Sequence, residues 1–198
     1  MRTFSTGSWA LLGLLVVAAT LRAASAPLIQ NQRVTVWDVA AGAAAPATAP
    51  SHDVVTILMR GQQADVRFQP RGAARTPIPA DTRAIVIELQ DAQVPALANT
   101  SGYPLAFPRP GGRAVLENPR VMVWDFTWTP GQATMMHFHD KDVVVTYLTD
   151  GALTSTDVRG QSVVNEHHVG YAKFNPRDRV HTETLTRGQG RAIIVELK

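Results

Sequence analysis

The feature of the sequence that most constrains the fold is an internal repeat. The segment NQRVTVWD, beginning at Asn31, returns 87 residues later as NPRVMVWD, beginning at Asn118, with six of eight positions identical. Two further segments return in the same order, namely DVVTILMRG from residue 53 as DVVVTYLTDG from residue 142, and RAIVIEL from residue 83 as RAIIVEL from residue 191. Three matched segments in one order indicate that one structural unit occurs twice in the chain.

Each repeated segment has the composition of a β-strand. The segments are short, rich in Val, Ile, Trp and Tyr, and bounded by Gly, Pro or Asp. After the N-terminal segment, no window longer than a few residues shows the apolar period of a helix. The sequence therefore predicts an all-β domain, a sandwich-like barrel in which the strands close their own edges.

The spacing of the repeats sets the predicted domain boundaries. The last pair of segments is separated by 108 residues and the middle pair by 89, so the first copy lacks about 19 residues between its middle and last strands. We predict a shortened first repeat over residues 27–91 and a full second repeat over residues 118–198. Residues 92–117 are rich in Pro and Gly and have no periodicity, which predicts a linker or covering loop.

Residues 1–26 have the pattern of a secretory signal peptide. Arg2 precedes an apolar stretch of about 13 residues, which is short for a bilayer-spanning helix, and small residues follow it up to Ala26. A permanent membrane anchor is the alternative, and Pro27 is unfavourable directly after the best cleavage triplet. The chain has no cysteine and so no disulfide framework. We expect a periplasmic or secreted protein that contacts a membrane only through the leader.

Charge and motifs exclude several classes of function. The net charge of +3 falls to about +1 without Arg2 and Arg22 of the leader, and the other arginines are scattered rather than clustered among aromatic residues. Nucleic-acid binding needs such a cluster, so no nucleic-acid partner is expected. The sequence also has no cysteine nucleophile, no G-x-S-x-G segment and no phosphate-binding glycine loop.

Three histidines in the second copy indicate metal chemistry. His137 and His139 are two residues apart, so on an extended strand both imidazoles project from one face. His181 follows a tight turn after Gly170 and Pro176, which places it on another strand. A metal site needs such ligands to converge from separate strands.

The spacing of these residues resembles the cupin superfamily, whose motifs are G-x5-H-x-H with a later glutamate and glycine, and G-x5-P-x-G-x2-H. The matching positions are Gly131, His137, His139 and Gly151 for the first motif and Gly170, Pro176 and His181 for the second. The resemblance covers residues 118–198 directly and residues 31–91 through the repeat. It implies a duplicated cupin, or bicupin, whose second jelly-roll β-barrel binds one divalent transition metal through the three histidines. Iron or manganese is favoured, with zinc, nickel and copper as alternatives.

Two positions depart from the family pattern. The glutamate position falls on Val144, and Asp178 stands where glycine is usual. Three neutral ligands still make a good metal site. Asp142 lies on the same strand face as Val144 and is an alternative ligand. The strand rise displaces it roughly 6 to 7 Å from the Val144 position. Glu183, two residues after His181, is a candidate catalytic group, as a hydrogen-bond partner of the site or a general base, although a charged residue at the barrel mouth is the simpler interpretation.

The other histidines are not expected to join the site. The first copy has Thr48 and Pro50 at the positions of the paired histidines. His52, beside a turn, is predicted to be a solvated surface residue. The consecutive His167 and His168 face opposite sides of any strand and cannot both point inward, so a structural or exposed role is predicted for them.

Three functions are compatible with these features. The first is an enzyme, a dioxygenase or another metal-dependent catalyst that acts on a small molecule. The second is a non-catalytic barrel that binds or senses a small ligand or the metal. The third is a structural module, and because cupins commonly pair through sheet edges, a homodimer fits all three. A metal position that faces a cavity with a polar group such as Glu183 or Arg179 would favour the enzyme.

Overall fold

The structure, a computed structural model, describes residues 26–46, 51–75, 77–92 and 94–198. These ranges contain fourteen strands, and they include no helix long and apolar enough to cross a membrane. Apart from Ala26, the predicted leader lies outside the described residues, as do Thr48 and Pro50. The prediction of an all-β fold is confirmed.

The first copy forms a single five-stranded sheet, here called the N-terminal sheet. Its strands are β1 (Ile29–Gln30), β2 (Val34–Val39), β3 (Asp53–Arg60), β4 (Gln63–Gln69) and β5 (Arg83–Leu89). They lie in the order β1-β2-β5-β3-β4, and every neighbouring pair is antiparallel.

The second copy forms two sheets. The central sheet has the order β6-β7-β14-β9-β12, and the outer sheet has the order β11-β10-β13-β8. The strands are β6 (Gly112–Glu117), β7 (Val121–Trp128), β8 (His137–His139), β9 (Val143–Tyr147), β10 (Gly151–Asp157), β11 (Ser162–His167), β12 (Ala172–Asn175), β13 (Arg179–Gly188) and β14 (Gly190–Leu197). Strand β6 belongs to the segment predicted as a linker or covering loop.

The N-terminal and central sheets share one strand order and one register. Val34 of β2 pairs with Leu89 of β5, and the repeat-related Val121 of β7 pairs with Leu197 of β14. The repeated segments therefore hold equivalent positions in the two sheets, as a duplicated unit requires.

The three sheets stack in layers because the strands of the central sheet are apolar on both faces. Its Val144 packs with Val55 and Ile87 of the N-terminal sheet in one buried cluster. The opposite face packs against the outer sheet, where Trp128 and Leu185 share a second cluster. Strands that are buried on both faces have continuous apolar runs in their sequence. The segment DVVVTYL, residues 142–148, has this pattern.

The sheets remain open and are not closed into one barrel, contrary to the prediction that the strands close their own edges. The first copy has no counterpart of the outer sheet among the described residues. The outward face of the N-terminal sheet is covered instead by loop residues such as Ala43 and Ile78, which pack on Leu58 and Val86. Among the described residues, the second copy alone therefore encloses an interior between two sheets of its own.

Candidate metal centre

The outer sheet brings the three predicted histidines together. His137 and His139 lie on β8, and β13 places His181 directly opposite His137 in the register. Ligand atoms of the three side chains lie within 4.8 Å of one another, and each residue is at most 8% exposed. The strand period of two is what turns all three imidazoles toward the interior of the second copy.

Hydrogen bonds orient two of the imidazoles. His137 Nδ1 donates to the carbonyl oxygen of Met135 at 2.8 Å, and His181 Nδ1 lies 2.9 Å from the hydroxyl of Ser155. In both residues the contact at Nδ1 leaves Nε2 as the nitrogen that could bind a metal, which is the usual arrangement around a protein metal site. His139 has a buried Nδ1 without a hydrogen-bond partner among the described residues.

The donor set fits a transition metal ion. His139 Nε2 and His181 Nε2 lie 3.1 Å apart, about the spacing of two nitrogens that each lie roughly 2.0–2.1 Å from one ion. Neutral imidazoles suit iron, manganese, zinc, nickel and copper alike. The three histidines therefore form a cluster that could hold one metal ion.

The histidines are held in their neutral, ligating form. Burial and the nearby Arg109 guanidinium lower the pKa of His137 to about 3. Burial lowers the pKa of His181 to about 4 although Glu183 opposes the shift, and burial also places the pKa of His139 well below its ordinary value. Neutral imidazoles need lose no proton before they bind a metal.

Arg109, which the sequence did not single out, reaches into the centre from the segment between the repeats. Its Nη1 lies 2.6 Å from Nε2 and 2.7 Å from Nδ1 of His137, and its Nη2 lies 3.1 Å from Glu183 Oε2. The guanidinium stacks over Phe107 and Phe126, with its central carbon 4.9 and 4.4 Å from the two ring centres. A metal ion on His137 Nε2 requires Arg109 to give up its bond to that nitrogen. The segment was predicted as a linker or covering loop, and nothing in its composition indicated a role for this arginine.

Glu183 lies beside the histidines, and its Oε2 accepts hydrogen bonds from two residues. Besides Arg109, the indole of Trp128 in the central sheet donates to Glu183 Oε2 at 3.1 Å. Burial raises the pKa of Glu183, but the neighbouring His181 and Arg109 lower it by a larger amount. The net shift of the pKa is therefore downward. The side chain is an ionised hydrogen-bond partner inside the site.

The alternative carboxylate ligand, Asp142, lies outside the cluster. It accepts hydrogen bonds from the Arg33 side chain and from the backbone N–H of Arg177. Val144 faces away from the histidines, in the core shared with the N-terminal sheet. No carboxylate from this strand therefore replaces the glutamate of the cupin pattern.

Two cavities flank the centre. A cavity of about 770 Å³, here called the mouth cavity, is lined by polar side chains that include Tyr147, Ser155, Lys173, Arg179, His181 and Glu183. A second cavity of about 240 Å³ lies on the side of Arg109 and His137 and is lined mainly by loop residues and by Phe126 and Trp128. The histidine cluster thus borders open space on both sides.

The remaining histidines lie apart from the cluster. His52 is half-buried, with Nδ1 3.1 Å from Glu88, so it is not a fully solvated residue. His167 is buried and stacks on Tyr147 with ring centres 4.2 Å apart, while His168 is exposed. The last two thus point in different directions, one structural and one at the surface.

Comparison with solved structures finds similar proteins for about half of the chain. A cupin domain from Bordetella pertussis Tohama I is 28% identical, with 46% of this chain and 97% of that chain covered and a TM-score of 0.40. A cupin-2 domain protein from Shewanella frigidimarina is 18% identical, with coverage of 46% and 83% and a TM-score of 0.35. The polyketide cyclase RemF from Streptomyces resistomycificus is 22% identical, with coverage of 53% and 80% and a TM-score of 0.36. No protein-family model and no curated protein matches the sequence.

Proposed function

We propose that this protein is an exported, metal-dependent enzyme that acts on a small molecule at the three-histidine centre, with dioxygenation as the favoured reaction class. The observation that carries the proposal is that His181 of the three-histidine cluster borders a large cavity together with Glu183 and Arg179. A centre with room for substrate beside the ligands is typical of catalytic sites, whereas structural sites are closed. Export is proposed from the leader pattern of residues 1–26.

In this mechanism His137, His139 and His181 hold the metal, which when bound supplies a site for O2 or a Lewis acid for a substrate oxygen. The ionised Glu183 accepts a proton from a substrate group in the mouth cavity. Tyr147 lines the same cavity, and burial raises its pKa, so its phenol stays protonated and can donate a hydrogen bond.

A second function, a non-catalytic barrel that binds or senses a metal or a small ligand, is favoured by the position of Arg109. Its guanidinium already satisfies His137 Nε2 and Glu183 in the described structure. A sensor needs two such alternative states, one with Arg109 at the histidine and one with a metal there.

Elemental analysis of the purified protein tests the proposal, beside the double variant His139→Ala/His181→Ala and the control His168→Ala. We expect about one equivalent of a transition metal in the wild type and the control, and none in the double variant. Wild type that stays metal-free after incubation with Fe(II), Mn(II) and Zn(II) would contradict any metal function. Metal without oxygen consumption, isomerase or hydrolase activity across a substrate panel would favour the sensor.

A further inference from the structure

Two cations face the mouth cavity without a carboxylate partner among the described residues. Arg179 uses its Nε to donate to the carbonyl oxygen of Pro176 at 2.7 Å, and its two terminal Nη groups have no partner there. Lys173 Nζ donates to the side-chain oxygen of Asn165 at 2.9 Å. A half-buried cation is ordinarily paired, because leaving it unpaired costs free energy. Both groups are therefore available to an anion.

Both cations lie beside the metal centre. Arg179, His181 and Glu183 alternate along β13, so they share the interior face of that strand. The register also sets Arg179 opposite His139. Lys173 enters from β12 of the central sheet, on the opposite wall. A molecule held between the two cations is placed next to His181.

The described acidic groups form no ion pair with these two cations, although the nearby Glu183 carboxylate offsets part of their charge. Glu183 is tied to Arg109 and Trp128. Asp157 at the rim is paired with Arg159, and Asp178 is exposed at the rim. Burial and the neighbouring Arg179 lower the pKa of Lys173 against the opposing effect of Glu183, so the two cations repel each other. A bound anion would relieve that repulsion.

We infer that the substrate carries a carboxylate or an equivalent anionic group, which Arg179 and Lys173 bind in the mouth cavity. This inference rests on the proposed enzymatic function and names its substrate class. Arg179 presents two adjacent N–H donors, which suits bidentate binding of a carboxylate, and Lys173 adds a point charge from the other wall. The reacting part of the substrate would then extend toward the metal.

Isothermal titration calorimetry of the metal-loaded full chain tests this with two carboxylates of different shape, succinate and benzoate, and their neutral counterparts, succinamide and benzamide. We expect at least one carboxylate to bind, and to bind at least tenfold more tightly than its amide. The variants Arg179→Gln and Lys173→Gln should each weaken its binding about tenfold, which is about 1.4 kcal/mol. Arg159→Gln is the matched control, since it removes a rim cation that is already paired, and it should leave the Kd within about twofold.

The outcomes separate this inference from the proposed function. Carboxylates that bind no better than amides, or that bind equally well to Arg179→Gln and Lys173→Gln, would overturn the inference, because the metal alone or another surface would then hold the anion. Metal content measured on the same samples reports on the metal centre independently. A chain that binds no metal but still shows cation-dependent carboxylate binding would retain the anion site while the metal-dependent function fails. Arg179→Lys keeps the positive charge and should bind the carboxylate more tightly than Arg179→Gln. A loss of binding caused by misfolding would not be reversed in this way.

Discussion

The guanidinium of Arg33 lies 2.9 Å from the carboxylate of Asp142, across the interface between the N-terminal and central sheets. The repeat-related Arg120 and Asp53 form the reciprocal pair at 2.8 Å. The four side chains are only 7–13% exposed. Reciprocal contacts of this kind are those of a two-fold interface, here formed within one chain by the two copies of the repeat.

Loss of either aspartate should destabilise the protein strongly. Asp142→Asn leaves Arg33 as an unpaired, largely buried cation, a change that typically costs about 3–5 kcal/mol. Asp53→Asn should cost a similar amount because Arg120 loses its carboxylate partner and keeps only a neutral acceptor, the carbonyl oxygen of Gln90. The free energy of unfolding from urea titration measures both. Asp65→Asn, in an exposed pair with Arg67, is the control and should cost less than about 1 kcal/mol. An equally small effect of Asp142→Asn would mean that the inter-copy pairs contribute little.

Ser155→Ala should weaken metal binding while the three ligands stay in place. The Ser155 hydroxyl contacts His181 Nδ1 at 2.9 Å, and removal of such an orienting group typically costs about 10–100-fold in metal affinity. Competition against a chelator of known affinity gives the Kd. Ser162→Ala, at an exposed position on β11, should leave the Kd unchanged. Equal affinities for the wild type and Ser155→Ala would show that the hydroxyl does not orient the ligand.

Metal-free protein should lose stability as the pH falls below about 6.5. His137 and His181 have pKa values of about 3 and about 4 in the fold, against about 6.5 in an unfolded chain. Between these values the unfolded state binds more protons, so the free energy of unfolding decreases toward acid by up to about 1.4 kcal/mol per pH unit for each histidine. Urea titrations at pH 7.5, 6 and 5 measure the slope. The double variant His137→Gln/His181→Gln should show a flatter dependence, and an unchanged slope would contradict the assignment.

Arg109→Gln should strengthen metal binding. The substitution removes a cation whose Nη1 lies 2.6 Å from His137 Nε2 and which repels any metal cation there. We expect the metal Kd to fall by about tenfold or more, in keeping with the strength of charge interactions at partly buried sites. Arg67→Gln, at a surface position far along the N-terminal sheet, serves as the control. Weaker metal binding by Arg109→Gln would instead assign Arg109 a supporting role, through its bond to Glu183.

The directions of the site side chains could be predicted where the two-residue period of a strand determines them. His137 and His139 were expected on one face because they are two residues apart, and His181 was expected to converge on them from another strand. The structure brings the potential ligand atoms of these three side chains within 4.8 Å of one another. Glu183 was expected to point the same way as His181 for the same reason, and the two side chains do line the same cavity.

The contact of Arg109 with His137 and the pairing of Asp142 with Arg33 could not be predicted in this way. Arg109 lies in a Pro- and Gly-rich segment without periodicity, so no local rule relates its direction to the histidines. Asp142 was placed on the ligand face by its spacing from Val144, but that face packs against the other copy of the repeat, where Arg33 binds it. Which face of a doubly buried strand meets which neighbour depends on the packing of the sheets, and both faces of β9 are buried.

The sequence by itself determined the all-β fold, the repeated segments and the three converging histidines, because strand composition and the two-residue period act locally and leave a direct trace in the order of residues. The tertiary structure alone decided that the sheets stack in three layers, that Arg109 bonds to His137, and that Arg179 and Lys173 share one cavity. Those relations join residues far apart in the chain, and they follow from which apolar faces bury each other rather than from any local pattern.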